Sequence, residues 1–458
     1  MSLLPQDIKK QLEELGVSEA KNLLIDWVLD TNDETYRRAA LEVLGSIDEG
    51  KDFSFFEQLF LSDEDLEIRL TSGQILKENY HEHKKIEILL EFTLTRILFL
   101  EQKLFALKFL YELDTYPSRK ILLDFLENTI EKKYPTKRGE FPEEVFSHDY
   151  SQQISELLLH ICYNLIIFDY YLNRFGFFAT IRNGFIVSLN TDGADLGSIR
   201  KIRALEYLDQ LEYLSLKRNL IEKIEGLNHL KKLKNLDLSA NYITKVENLQ
   251  DLEALEVLNL SYNRIKQIEN LGALRKLQDL NISRNEITEI KNLENLYNIK
   301  KLTLSYNKIE KISGLYELVN LSLLHLNDNL IVEIKGLDRL IELHSLNLTN
   351  NKIEKISNLD NLLNLRKLEL SRNKIQKIEG LDNLKNLQEL FLDSNLIQQF
   401  EGMDNLDNLI ILFLNNNKIS HLTVDHWKHF KNLNFLFLND NPLSEEGKDA
   451  YQKWTRFP

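Results

Sequence analysis

The sequence predicts two solenoids in tandem: a stack of α-helices over residues 1–180, then a parallel-sheet coil over residues 181–458. Two observations carry this reading. Asparagine stands at Asn219, Asn241, Asn263, Asn285, Asn307, Asn329, Asn351, Asn373, Asn395 and Asn417, each 22 residues after the last, and Asn441 follows after a step of 24. Ahead of that run, a looser pattern with a period of 32 residues matches Tyr36, Ala40, Val43 and Leu44 to Ile68, Ser72, Ile75 and Leu76. Self-similarity at a fixed period marks stacked repeats, each unit burying its apolar face against its neighbours.

Taken in chain order, Ile8, Leu12 and Leu15 fall on one stripe of a helix. Both copies of the 32-residue pattern carry an arginine beside the first matched position (Arg37, Arg69) and an aspartate three before it (Asp33, Asp65). Leu100, Leu104 and Leu107 continue the register, while Glu101 and Lys108 break it. The pattern resembles HEAT repeats over residues 18–132, which implies stacked helix pairs; an irregular helical bundle is the alternative. A polar stretch from Thr136 to Asp149, with Pro142, reads as a long loop. Beyond it Ile154 to Phe168 is strongly apolar but too short for a bilayer and interrupted by His160 and Asn164, so a buried helix is expected. The aromatic run Tyr170, Tyr171, Phe175, Phe177 and Phe178 is expected to seal the joint to the second solenoid, and Phe185, Val187 and Leu189 to form its starting strand.

Ahead of each periodic Asn stands apolar-x-x-apolar-x-apolar-x-x-Asn, as in Leu233, Leu236, Leu238, Asn241. In a short extended segment the two residues of Leu-x-Leu point one way and the middle residue the other. Stacked copies therefore make a parallel sheet with one leucine-lined face and one open face. At each Asn the chain turns away, leaving backbone N–H and C=O groups inside the coil. A column of Asn side chains, each carrying donors and an acceptor, satisfies them. After the Asn comes Asn-x-Ile-x-x-Ile-x-Gly/Asn-Leu-x-x-Leu, as in Ile375, Ile378, Gly380, Leu381, Leu384. Gly226, Asn248, Asn270, Asn292, Gly314, Gly336, Asn358, Gly380 and Gly402 suit a left-handed turn. Too few residues remain for a helix, so the return path is expected to be extended or 3₁₀. Pro442, Leu443 and Glu445 to Trp454 read as the closing cap.

These repeats resemble the 22-residue class of leucine-rich repeats found in the regulatory subunit of protein phosphatase 1 and in bacterial internalins. The resemblance implies a parallel sheet on a concave face that binds protein. In the phosphatase regulator, acidic and aromatic residues of that face hold the catalytic subunit, and Asp237, Glu369, Phe391, Phe413 and Phe437 occupy comparable positions here. The run from Asn259 to Asn347 departs from that acidic character, so a mode of binding is implied and not a partner.

Composition bounds the function. A net charge of −14 argues against nucleic-acid or anionic-membrane partners. One cysteine, Cys162, excludes an internal disulfide and fits a reducing compartment. The first ten residues hold no apolar signal core, which separates the chain from secreted internalins and makes a cytoplasmic setting the expectation. No Gly-rich phosphate loop, nucleophile elbow or zinc motif occurs, so no enzyme activity, metal, cofactor or small-molecule substrate is expected. His421, His426 and His429 lack clustered carboxylates or thiols. Arg218, Arg284 and Arg372 point outward but stand several repeats apart, unlike arginines converging on one phosphate. Lys223, Lys245, Lys311, Lys355 and Lys377 recur on the back near glutamates and read as a solvated face.

The outward residues of successive strands read Ser215, Asp237, Asn259, Asn281, Thr303, His325, Asn347, Glu369, Phe391, Phe413 and Phe437. Phe435, Ile410 and Ile411 lie around the last three, with Asp393 and Asp440 at the edge. Contiguous exposed aromatics mark a binding hot spot. The expectation is a non-enzymatic scaffold or adaptor that binds protein through Phe391, Phe413, Phe437, Phe435, Ile411, Glu369, Asp237 and His325. The alternatives are a regulatory subunit of a phosphatase or GTPase, and an architectural protein that buries this face.

Overall fold

The computed structural model describes residues 3–146, 151–175, 177–427 and 430–456. Two compact units divide the chain, residues 1–186 and 187–458.

The first unit is helical. After the short α1 (Pro5–Lys10) and α2 (Leu12–Leu15), helices pair as α3 (Val17–Asp30) with α4 (Glu34–Ile47), α5 (Phe53–Ser62) with α6 (Leu66–Tyr80), and α7 (Ile86–Arg96) with α8 (Leu100–Leu113). Asp33 and Asp65 cap the second helix of the first two pairs, accepting from the backbone N–H groups of Thr35 and Ile68 at 2.9 Å. Arg37 joins those pairs: its Nε donates to the Val28 carbonyl at 2.7 Å and its Nη2 meets Asp63 at 2.6 Å. Glu101 and Lys108 do not prevent a third pair. There the capping position is Phe99, with no side-chain cap, and the Arg69 guanidinium lies 4.1 Å from its ring centre. Gln102 completes the link by donating to the Phe60 carbonyl at 2.5 Å.

After α9 (Tyr116–Lys133), the segment read as a loop holds two 3₁₀ turns, Pro135–Glu140 and Glu143–Phe146, anchored by buried Phe141 and Val145. Its last residues, through Asp149, lie outside the described residues. Next comes α10 (Gln152–Phe175), buried from Ile161 to Phe168. Asn164 satisfies its polarity by accepting from the Ile186 N–H and donating to the His160 carbonyl, both at 2.8 Å. Among the described residues no helix is long and apolar enough to cross a membrane. Phe178 begins β1 (Phe178–Arg182) and is 80% exposed, while Tyr171 is buried and stacks on Phe177; the Phe175 side chain lies outside the described residues.

The second unit is a parallel coil. β2 (Phe185–Asn190) pairs with β3 (Tyr213–Ser215), followed in chain order by β4 (Asn235–Asp237), β5 (Val257–Asn259), β6 (Asp279–Asn281), β7 (Lys301–Thr303), β8 (Leu323–His325), β9 (Ser345–Asn347), β10 (Lys367–Glu369), β11 (Glu389–Phe391), β12 (Ile411–Phe413) and β13 (Phe435–Phe437). From β4 onward the middle residue of every strand is buried and its neighbours are more exposed. The starting strand differs from the alternation expected of it. Ile186, Leu189 and Thr191 are the buried residues, and Leu189 is in register with Leu214. This is the repeat phrase, apolar-x-x-apolar-x-apolar, one copy earlier, with Thr191 where later copies have an aliphatic residue.

The Asn column makes a continuous hydrogen-bond ladder. Asn307 donates from Nδ2 to the Ile282 and Leu304 carbonyls at 3.0 Å and accepts at Oδ1 from the Ile287 N–H at 3.0 Å. The Leu304 carbonyl in turn accepts from both Asn307 and Asn329, so each rung shares its carbonyls with the next. The residue before each ladder Asn, from Arg218 to Asp440, is left-handed, with φ between 52° and 59°.

On the return path the chain forms turns, with short 3₁₀ helices at Ile199–Lys201, Leu205–Tyr207 and Val424–Trp427 and, among the described residues, no α-helix between β2 and β13. Asn248, Asn270, Asn292 and Asn358 take positive φ and donate to a carbonyl of the preceding coil, as Asn292 does to Ile268 at 2.7 Å. At Gly314, Gly336, Gly380 and Gly402 the equivalent carbonyl crowds in: a Cβ on Gly402 would lie 2.0 Å from the Ile378 oxygen. Asn298, Asn320, Asn364, Asn386 and Asn408 form a further column, as in the 2.8 Å bond from Asn320 to the Tyr297 carbonyl. The coil closes with α11 (Glu445–Arg456), whose Tyr451 hydroxyl donates to the Leu436 carbonyl at 3.0 Å and accepts from the Leu438 N–H at 3.3 Å. One side chain thus occupies the edge of β13 where another strand would pair.

Candidate functional site

Parallel in-register pairing puts the outward residues on straight columns. One column runs Ser215, Asp237, Asn259, Asn281, Thr303, His325, Asn347, Glu369, Phe391, Phe413, Phe437. At its end the rings stack: Phe391 on Phe413 with centroids 5.0 Å apart, and Phe413 on Phe437 at 4.2 Å, each pair 23° from parallel. Stacking covers part of each ring, so the three are half-buried. Phe435, in the adjoining column, is 53% exposed, and Ile411 beside it is half-buried. The Lys367 ammonium stands 5.1 Å from the centre of the Phe391 ring and pairs with Glu369 at 3.1 Å and Glu389 at 3.6 Å. The platform is therefore apolar at β12 and β13 and bordered by a bridged charge cluster at β10 and β11.

The polar members of the column are largely engaged within the sheet. Asp237 accepts from the Ser239 N–H at 2.8 Å and from Asn259 at 3.1 Å. Glu369 accepts from Asn347 at 3.0 Å in addition to its ion pair. Ser215 is buried and donates to Asp192 at 2.5 Å. His325 is half-buried; loss of solvation depresses its pKa below the ordinary imidazole value, although Glu369 pulls the other way. His344 bonds the Glu342 carbonyl at 2.6 Å and Ser322 at 3.2 Å.

Other sequence candidates find local roles. Arg284 lies between two rings, 3.8 Å from the centre of Tyr306 and 4.8 Å from that of Tyr262, and Arg264 lies 4.4 Å from Tyr242. This tyrosine–arginine ladder escaped the sequence reading, although Tyr262 precedes Arg284 by one repeat and Tyr306 follows by another. On the back, Lys355 and Lys377 reach Glu379 and Glu401 of the next coil at 3.5 and 3.3 Å. His426 accepts from the Thr423 N–H at 3.0 Å and His421 meets Ser420 at 2.8 Å, while His429 lies outside the described residues. Among the described residues no group of three or more His, Cys, Asp or Glu is placed to hold a metal ion.

A stacked parallel coil with an internal Asn ladder and an open sheet face defines a repeat solenoid, a class that uses extended surfaces for recognition. Family models agree: Leucine rich repeat matches residues 232–287, and Leucine Rich repeats (2 copies) matches 209–253, 275–317 and 363–406. The chain belongs to the leucine-rich-repeat proteins and is related to the internalin type, with a helical region ahead of the repeats. An internalin of Listeria monocytogenes is 33% identical over 57% of this chain and 82% of its own, with a TM-score of 0.48. A leucine-rich-repeat protein of Leptospira interrogans is 34% identical over 54% of this chain and 66% of its own, with a TM-score of 0.51. A chain from the octameric complex of Latrophilin 3, Unc5D and the leucine-rich-repeat region of FLRT2 shares the fold at 22% identity, over 59% and 87% of the two chains, with a TM-score of 0.53. No curated protein matched. Leucine-rich-repeat folds generally mediate protein–protein interactions.

Proposed function

We propose that the chain is a protein-binding scaffold whose partner docks on the open face of β10–β13. The observation that carries this reading is the stack of Phe391, Phe413 and Phe437, with Phe435 exposed beside it. Rings already fixed against one another on a hydrogen-bonded sheet lose little rotamer freedom on binding, so more of the contact energy survives as affinity. Lys367, Glu369 and Glu389 border the platform and supply a polar rim of mixed sign. His325 and Asp237 belong to the same column but stand toward the polar end of the sheet. A cytoplasmic setting is part of the reading, supported by the single cysteine, Cys162, buried and free.

The test is affinity capture from source-cell lysate with the native chain and with a Phe391→Ala, Phe413→Ala, Phe437→Ala variant, both melting cooperatively at similar temperatures. One protein captured by the native chain and lost with the variant supports the platform. Equal capture by both overturns it.

A further inference from the structure

The helical unit contains a cleft of about 470 Å³ among α7, α8, α9 and α10, a size typical of small-ligand sites. Its accessible apolar lining comes from Leu98, Ile121 and Phe125, with Leu94, Leu100 and Leu165 buried behind them. Lys103 of α8 enters the same space, half-buried. Among the described residues Lys103 makes no ion pair and no side-chain hydrogen bond. The acid best placed to neutralise it, Asp169, is already taken. It accepts from Lys133 at 2.9 and 3.0 Å, from the Tyr134 hydroxyl at 2.7 Å and from Asn173 at 2.6 Å.

We propose that this cleft binds an aliphatic monocarboxylate, its carboxylate paired with Lys103 and its hydrocarbon tail laid along Leu98, Ile121 and Phe125. An ammonium withdrawn from water without a partner is costly, and an anion arriving beside it recovers that cost. Burial, reinforced by the positive charge of Lys133, lowers the Lys103 pKa, with Asp169 offsetting it in part. The ordinary state of the site is thus one of incomplete charge compensation. Arg96 and Lys132 also line the opening without partners among the described residues. Glu91, Asp124 and Asp169 line it too, and they decide the charge of the ligand. A dianionic phosphate would meet three carboxylates and surrender a strong hydration shell beside apolar side chains. A monocarboxylate brings one charge for Lys103 and apolar surface for the rest.

The experiment is calorimetric titration of the full chain with dodecanoate below its micellar concentration, with dodecan-1-ol and dodecyltrimethylammonium as head-group controls. The native chain is expected to bind one dodecanoate, and Lys103→Met to bind it at least tenfold more weakly while binding dodecan-1-ol as the native chain does. Lys103→Met replaces a poorly solvated charge with a chain of similar shape, so its melting temperature is expected not to fall. Should it fall, the Arg96→Gln, Lys132→Gln double variant decides, with a several-fold loss for dodecanoate and none for the alcohol. The proposal is overturned by an absence of saturable binding, by equal affinity of native and Lys103→Met chains, or by the cationic amphiphile binding as well as the carboxylate.

Discussion

Replacing Asn307 by leucine removes one rung of the ladder while keeping the branching and heavy-atom count of the side chain. Ile287 N–H loses its acceptor in a buried position and gains none, which costs about 1–3 kcal/mol. The Ile282 and Leu304 carbonyls fare better, because Asn285 still donates to the first at 3.2 Å and Asn329 to the second at 3.0 Å. Each loses one of two bonds, at about 0.5–1.5 kcal/mol. The Ser305 carbonyl keeps the Arg284 N–H at 2.8 Å. The sum is about 2–6 kcal/mol, half of it from a single orphaned amide. Equilibrium urea unfolding measures the total, and native-state hydrogen exchange at the Ile287 amide measures the local part. Asn441→Leu is the control: Asn441 is only half-buried, so water replaces its bonds and the loss is expected to stay under about 1 kcal/mol. If Asn307→Leu unfolds at the native urea midpoint with Ile287 still protected, the ladder is ornamental to stability and the reasoning fails.

Two further perturbations test the turns and the helical joints. Gly402→Ala sets a Cβ against the Ile378 carbonyl at φ +75°, whereas a Cβ on Gly226 meets nothing nearer than Arg200 Cγ at 3.8 Å. The first is expected to cost more than about 2 kcal/mol and Gly226→Asn less than about 0.5 kcal/mol, read from the same urea curves. In the helical unit burial pushes the Asp48 carboxyl up, but the Tyr80 hydroxyl and Lys21 outweigh it and hold the pKa below the usual carboxylate range. A depressed carboxyl contributes stability above its unfolded pKa and loses it as pH falls through the folded value. Unfolding free energy of the native chain is therefore expected to drop below about pH 4, and Asp48→Asn to be weaker at pH 7 with a flatter acid limb. Parallel pH profiles for the two chains would refute the assignment.

What the sequence disclosed and what it withheld divide along a physical line. A 22-residue period writes the same constraint into every copy, so strand position, the buried leucines and the Asn column could be read without coordinates. The starting strand could not be read by alternation, because Ile186, Leu189 and Thr191 obey the repeat phrase with a longer step of 25 residues to Leu214. The third helix pair looked broken at Glu101 and Lys108, yet Phe99, at the cap position where the earlier pairs have aspartate, answers Arg69 of the previous pair, and such compensation is invisible within one copy. Open-face chemistry shows the same limit. Asp237 and Glu369 read as contact residues by position, but cross-strand partners one repeat away already occupy them. The phenylalanines differ because aromatic rings satisfy one another by stacking and still present apolar edges and a half-exposed face. That asymmetry favours β11–β13 within the proposed docking face: a polar side chain bonded within the sheet must break a bond to serve a partner, whereas a stacked ring need break nothing.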